Sequence, residues 1–196
     1  RTPLDRMKLH EYQAAQLFQK FQIPTPKGML VTKPADARIA FKVLANPSCL
    51  LKVQVLMGGR GKAGGVKKVN TAEEAESICS QWIGKPFSTA QSQGEASIVK
   101  AVWATELIHL TKEFYIVITV ARSKNGLVLI FSTQGGVDIE EIASQSSEAI
   151  EKIFFMPGNP PSDEALSSRL KERVSEPSVL KQIVEIAQKL CRLFVE

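Results

Sequence analysis

Leu51-Lys52-Val53-Gln54-Val55-Leu56-Met57-Gly58-Gly59-Arg60-Gly61-Lys62-Ala63-Gly64-Gly65-Val66-Lys67-Lys68-Val69 is the stretch whose reading decides the fold. Five glycines stand between positions 58 and 65, with Arg60 and Lys62 among them. Glycine lets backbone N–H groups approach an anion closely, and the two cations add charge, so the composition suits a phosphate. It is not a Walker A loop: Leu56 stands five positions before Gly61, and Ala63 follows Lys62 where a hydroxyl is required. Gly59-Arg60-Gly61-Lys62-Ala63-Gly64 satisfies GxGxxG in form. A dinucleotide-binding loop, however, opens a helix whose N-terminus holds the pyrophosphate. Here Val66–Val69 reads as a strand, so the loop joins two antiparallel strands, 49–57 and 66–69, and no helix is expected at Gly64.

The plain alternative for such a loop is a hairpin tip carrying solubilising charges. Lys52 weighs against it. This lysine is an isolated charge inside a strand that is otherwise apolar on both faces, apart from Gln54. A buried ammonium without an anion is costly, so Lys52 should point toward a ligand or a carboxylate. The competing reading is an edge position from which the side chain snorkels to solvent.

Outward from the loop, strands and helices are mixed without strict alternation. Residues 11–21 place Tyr12, Ala15, Leu17, Phe18 and Phe21 at helical spacing, and the run Ile23-Pro24-Thr25-Pro26-Lys27-Gly28 ends that helix. Short strands are expected at 29–31, 97–103, 114–121 and 127–132. Lys124-Asn125-Gly126 makes a hairpin turn between the last two, with Asn-Gly supplying positive φ. Helices are expected at 36–44, at 71–82 behind the capping box Thr71-Ala72-Glu73-Glu74, at 140–150, and at 177–194. The last is the most periodic, with Val179, Leu180, Ile183, Ile186, Ala187, Leu190 and Phe194 on one stripe. Residues 155–162, with three prolines and a glycine, read as a loop. The pattern favours an α+β or mixed α/β domain over a doubly wound sheet.

Composition narrows the function classes. The 196 residues are 44% hydrophobic and 23% charged, ordinary for a globular chain with a substantial core. No window approaches the roughly 18 apolar residues of a membrane span. Lys and Arg number 25 against 20 Asp and Glu, for a net charge of +5 that favours anionic ligands weakly. The basic residues are dispersed, which argues against nucleic acid as a partner. Cys49, Cys79 and Cys191 form no CxxC and suit a reducing compartment, and His10 and His109 are too few to make a zinc site with them.

Several of these features occur together, in order, in one family. Leu9-His10-Glu11-Tyr12-Gln13, the Pro24-x-Pro26-x-Gly28 turn, Lys52, the loop at 58–66, and Ser132-Thr133-Gln134-Gly135-Gly136-Val137-Asp138-Ile139-Glu140 resemble the β subunit of succinyl-CoA synthetase (succinate–CoA ligase) over nearly the whole chain. The resemblance implies an ATP-grasp fold, incomplete at its C-terminal end. Its divisions would be 1–28 (N-terminal helix and turn), 29–110 (first subdomain with the glycine loop) and 111–196 (start of the second). It implies a ligase that binds ATP or GTP with Mg²⁺. The reaction is succinate + CoA + NTP to succinyl-CoA + NDP + phosphate, through a phosphohistidine on a partner α subunit. The compartment would be the mitochondrial matrix in a eukaryote or the cytoplasm in a bacterium.

By the same resemblance, Lys52 contacts nucleotide phosphate, and Gly59, Arg60 and Gly61 close over the nucleotide. Glu113, in Lys112-Glu113-Phe114-Tyr115, belongs to the same site as an acceptor for ribose hydroxyls. The family carries a second glutamate eight positions earlier, at a hinge. Counting back lands on Thr105, and the acid stands one position on, at Glu106, which becomes the candidate for the base-side contact. Ala121 also replaces an acid that relatives carry before Arg-Ser. The family's Mg²⁺ ligands are expected beyond Glu196, so this segment alone is not expected to catalyse. No catalytic or metal-ligating residue is assigned within it, and neither His10 nor His109 is given the phosphohistidine role. Malate–CoA ligase and ATP-citrate lyase share these motifs, and a catalytically silent homologue serving as an accessory subunit is the alternative from another class.

Overall fold

Residues 8–92, 95–135 and 150–196 are described by the computed structural model. They divide into two compact units, one of the chain up to Gln19 with Pro24–His109, the other of Lys20–Ile23 with Leu110–Glu196. The predicted helix at 140–150 lies outside the described residues except at Ile150, which begins a strand. Among the described residues no helix is long and apolar enough to cross a membrane.

The first unit runs α1 (Glu11–Lys20), β1 (Gly28–Val31), α2 (Asp36–Leu44), β2 (Cys49–Val53), β3 (Val66–Val69), α3 (Ala72–Trp82), β4 (Pro86–Phe87), β5 (Ser97–Ile98) and β6 (Val102–Glu106). β1, β6, β2 and β3 form one sheet in that order, every pair antiparallel. Strand pleating sorts its side chains between two faces. Leu51 and Val53 of β2, paired with Ala104 and Val102, are fully buried in a core with Ala37 and Ala40 of α2 and Ala75 and Cys79 of α3. Lys52 pairs with Trp103 and therefore faces the other way.

β2 and β3 are antiparallel neighbours joined by the glycine segment, and no helix opens at Gly64, as the sequence reading expects. β2 is nevertheless shorter than predicted. It ends at Val53, where the Gln54 side chain turns back, donating to the carbonyls of Lys52 and Val53 and accepting from the Tyr12 N–H, while the Gln54 N–H still donates to the Ala101 carbonyl at 3.0 Å. The predicted strand at 97–103 is two pieces, with β5 pairing β4 in a small separate ribbon and β6 entering the main sheet. β6 is thus hydrogen-bonded directly to β2. Helix α3 opens as predicted, with Thr71 Oγ1 accepting from the Glu74 N–H at 3.1 Å, although Glu74 reaches back to the N–H of Asn70.

The second unit is an antiparallel meander of β7 (Tyr115–Ala121), β8 (Gly126–Ser132) and β9 (Ile150–Phe155), with α4 (Asp163–Leu170) and α5 (Pro177–Val195) packed on one face. Asn125, at φ 49°, supplies the left-handed residue of the β7–β8 turn. Two elements escape the sequence reading. β9 lacks clean alternation, and α4, capped by Ser162 accepting from the Ala165 N–H, is only eight residues long. Helix α5 is rotated from its expected stripe: Ile183, Val184, Ala187 and Cys191 are buried, while Phe194 is 45% exposed. All three cysteines are free and buried, and burial pushes their thiols up to about 11 for Cys49 and Cys191 and about 12 for Cys79.

Gly28 shows how tightly the non-core face of the first sheet is built. A Cβ there would sit 2.2 Å from Cζ2 of Trp103, so the ring or the strand would have to shift. Gly28→Ala is expected to destabilise the protein by about 1–3 kcal/mol, the usual cost of overpacking. It should also shift the Trp103 fluorescence, and urea unfolding followed by emission reads both changes.

Candidate functional site

The face of the sheet that carries Lys52 is covered by α1. Glu11, Ala14 and Phe18 of that helix, with Lys52, Trp103 and Thr105 of the sheet, line a cavity of about 190 Å³. The helix starts at Glu11 because the N–H of His10 donates to Gln13 Oε1 at 2.9 Å, which satisfies one of the donors a helix start leaves open. Gln54 then ties that first turn to the end of β2 through the Tyr12 N–H.

Glu11 joins the two cations singled out in the sequence. Lys52 Nζ donates to its Oε1 at 2.9 Å, and Arg60 Nη2 to its Oε2 at 3.0 Å. Side-chain exposures of 21% for Lys52, 24% for Arg60 and 30% for Glu11 make this a half-buried trio. Lys52 therefore meets a carboxylate, one of the two partners its place in an apolar strand demands, and it does not snorkel. Arg60 also donates through Nη1 to the carbonyl of Val53 at 2.8 Å, which folds the loop back on the strand it leaves.

The loop itself is a compact turn. Ala63 and Gly65 donate to the carbonyls of Gly59 and Arg60 at 3.1 and 2.8 Å. Gly59, at φ 75°, adopts a backbone that side chains rarely enter, whereas Gly61 stands in open space. A second opening, of about 390 Å³, is bordered by Lys8, Glu11, Leu56, Met57 and Arg60.

The remaining predicted residues have surroundings of their own. Glu106 uses Oε1 to accept from the Lys27 N–H at 2.8 Å, while its own N–H donates to the Lys27 carbonyl at 3.0 Å. Its carboxylate fastens the start of β1 to the end of β6. Thr105, the position reached by ungapped counting, does line the Lys52 cavity and is 2% exposed. Glu113 belongs to the second unit, where with Thr111, Lys112, Thr133, Gln134 and Gly135 it borders an open pocket of about 500 Å³. Residues 136–140 of the predicted motif lie outside the described residues.

Glu11 itself was missed as a site residue. In the sequence it reads as an acid in the first turn of a helix, favoured there by the helix dipole, and nothing in its spacing shows a reach to residues 41 and 49 positions away. Among the described residues no group of three or more His, Cys, Asp or Glu could hold a metal ion. The magnesium ion implied by the resemblance therefore finds no ligand cluster in this set.

Beside the trio, the His10 ring stacks on Tyr12 at 5.8 Å, and its buried Nδ1 has no hydrogen-bond partner. Burial, and after it the charge of Arg60, holds the imidazole below its ordinary value of 6.5. The unfolded chain then takes the extra proton first as pH falls, so stability decreases below about pH 6.5 and levels off beneath the lowered folded value. Urea unfolding across that window should show this slope, and His10→Gln should flatten it.

Comparison with known proteins places these features. The family described as the ATP-grasp domain matches residues 8–196. The β subunit of the ADP-forming succinate–CoA ligase of Photorhabdus laumondii is 39% identical over 151 residues, 77% of this chain and 39% of that protein. The chain thus spans about two fifths of the length of the curated relatives it matches. Among solved structures, a protein of Pyrococcus horikoshii superposes with a TM-score of 0.68 at 15% identity, over 96% of this chain and 79% of its own. An ATP citrate lyase of Methanothrix soehngenii, solved with citrate and coenzyme A, gives 0.65 at 18% identity, over 95% and 43%. At such identities the likeness is one of fold.

Proposed function

The chain belongs to the ATP-grasp domain family, and from that premise we propose that it is the nucleotide-binding portion of a succinate–CoA ligase β subunit. Lys52 and Arg60 receive the phosphates of ATP or GTP, and the Gly59–Arg60–Gly61 turn lies beside them. The observation that carries the reading is the convergence of a strand lysine and a loop arginine on a single anionic position, the carboxylate of Glu11. Phosphoryl transfer asks a protein mainly for positioning and charge neutralisation, which such a pair supplies.

The whole ligase would convert succinate, CoA and a nucleoside triphosphate to succinyl-CoA, the diphosphate and phosphate, through a phosphohistidine on an α subunit. Glu113 is proposed to accept from ribose hydroxyls, and Thr105, on the Lys52 face, to stand at the base-side position with a neutral hydroxyl. The subunit would work in the cytoplasm of a bacterium or in the mitochondrial matrix. A second reading, a nucleotide-free accessory subunit, is favoured by the engagement of Glu106 with the Lys27 backbone in place of a ligand.

Calorimetric titration with ADP separates the two. A charge-assisted contact of the Lys52 kind contributes about 1.5–3 kcal/mol. Lys52→Met should therefore weaken ADP binding by roughly ten- to a hundredfold. Its effect on folding should be small, because Glu11 keeps Arg60 as a partner. Lys62→Met, on the exposed turn, should cost much less. No ADP binding by the wild-type chain would favour the accessory reading, and equal affinities for wild type and Lys52→Met would take Lys52 out of the site.

A further inference from the structure

The two cations assigned to phosphate are already engaged. One oxygen of Glu11 takes Lys52 at 2.9 Å and the other takes Arg60 at 3.0 Å. Strand, loop and helix each contribute one member, so the carboxylate stands where a bridging phosphate would have to stand. Glu11 is also the one residue common to the cavity of about 190 Å³ that contains Lys52 and the opening of about 390 Å³ that contains Arg60. It separates the two spaces that a ligand touching both cations would have to join.

We propose that Glu11 is a built-in anion that occupies the phosphate position of the unliganded protein and is displaced by nucleotide phosphate, so that it holds Lys52 and Arg60 in place and lowers the affinity of the site until it leaves. The inference rests on the reading of Lys52 and Arg60 as phosphate-binding cations. Without an anion between them these two positive charges repel, and the loop arginine loses its tie to the helix. With Glu11 in place, an incoming phosphate meets a negative charge at the same point. The two anions exclude each other.

Displacement is inexpensive for this side chain. Glu11 sits in the first turn of α1 and is 30% exposed, so its carboxylate rehydrates on leaving. A phosphate group brings about −1.5 to −2 charge and three oxygens against the carboxylate's single charge and two oxygens, and so wins the exchange. Because the carboxylate must leave whichever phosphate enters, Glu11 lowers the affinity for every nucleotide by the same factor.

The test is calorimetric titration of ADP and of AMP into the full chain as wild type, Glu11→Gln and Lys52→Met, with Glu11→Ala as a second removal of the carboxylate. Circular dichroism confirms folding of each variant. Both Glu11 variants are expected to bind ADP and AMP more tightly, each by the same severalfold factor. In the absence of ligand their Tm should fall, because Lys52 and Arg60 lose their shared partner. Unchanged or weakened ADP and AMP binding by the Glu11 variants, with Lys52→Met still impaired, would make Glu11 a permanent strut and overturn the inference alone. ADP that binds wild type and Lys52→Met alike, or that binds neither, would overturn the phosphate reading and the inference with it.

Discussion

The two-residue period of β2 governs the rest of the first unit. Leu51 and Val53 are fully buried against α2 and α3, and Lys52 between them projects to the face that α1 covers. A slip of one residue would reverse all three. It would carry an ammonium into an apolar core at a cost of several kcal/mol and bring Leu51 and Val53 out of it. Pairing on both sides holds the register, with Lys52 opposite Val66 of β3 and Trp103 of β6. The strand that builds the core is therefore the same strand that presents the cation, one function on each face.

Charge balance then determines how α1 and the glycine loop are held. A lone lysine beside Trp103 and Thr105 would be poorly solvated, and a lone arginine would leave the loop with few attachments. Glu11 answers both needs with one carboxylate, and Arg60 adds a bond to the Val53 carbonyl. The pairs are partly exposed, so each contributes modestly to stability. Their larger effect is to fix where three separate segments meet. The trio keeps a net charge of +1, which still favours an anion over a cation at this place.

Much of this was legible in the sequence because it depends on local rules. The β2–loop–β3 hairpin follows from glycine composition and strand patterning, the opening of α3 from Thr71, and the β7–β8 turn from Asn125-Gly126. That Lys52 must meet an opposite charge follows from desolvation. The partner it meets was not legible, because a contact between residues 11 and 52 is made by tertiary packing of a helix on a sheet. The end of β2 was misjudged for a similar reason: beside its backbone bond to the Ala101 carbonyl, Gln54 turns its side chain to its own strand and to α1, contacts that its sequence position does not show. β9 and α4 carry patterns too short and irregular to separate from a loop. The face of α5 was misread because Ile186 and Leu190 lie beside the true stripe and resemble it in composition.

Strand parity also decides between the two positions, Thr105 and Glu106, that the sequence left open. Thr105 pairs with Leu50 and Glu106 with Cys49, so the two lie on opposite faces of β6. Only Thr105 shares a face with Lys52, and it borders the same cavity. A one-residue shift that would restore the acid to that face requires a bulge, and β6 pairs without interruption with β1 and β2 from Val102 to Thr105. Glu106 is moreover held at both its backbone and its carboxylate by Lys27. A neutral hydroxyl therefore lines the same cavity as Lys52, and Glu11 is the one acidic side chain among the described residues that line it. The negative charge that balances Lys52 comes from the helix, not from the neighbouring strand, and a helix side chain at the start of its first turn is the easier of the two to move.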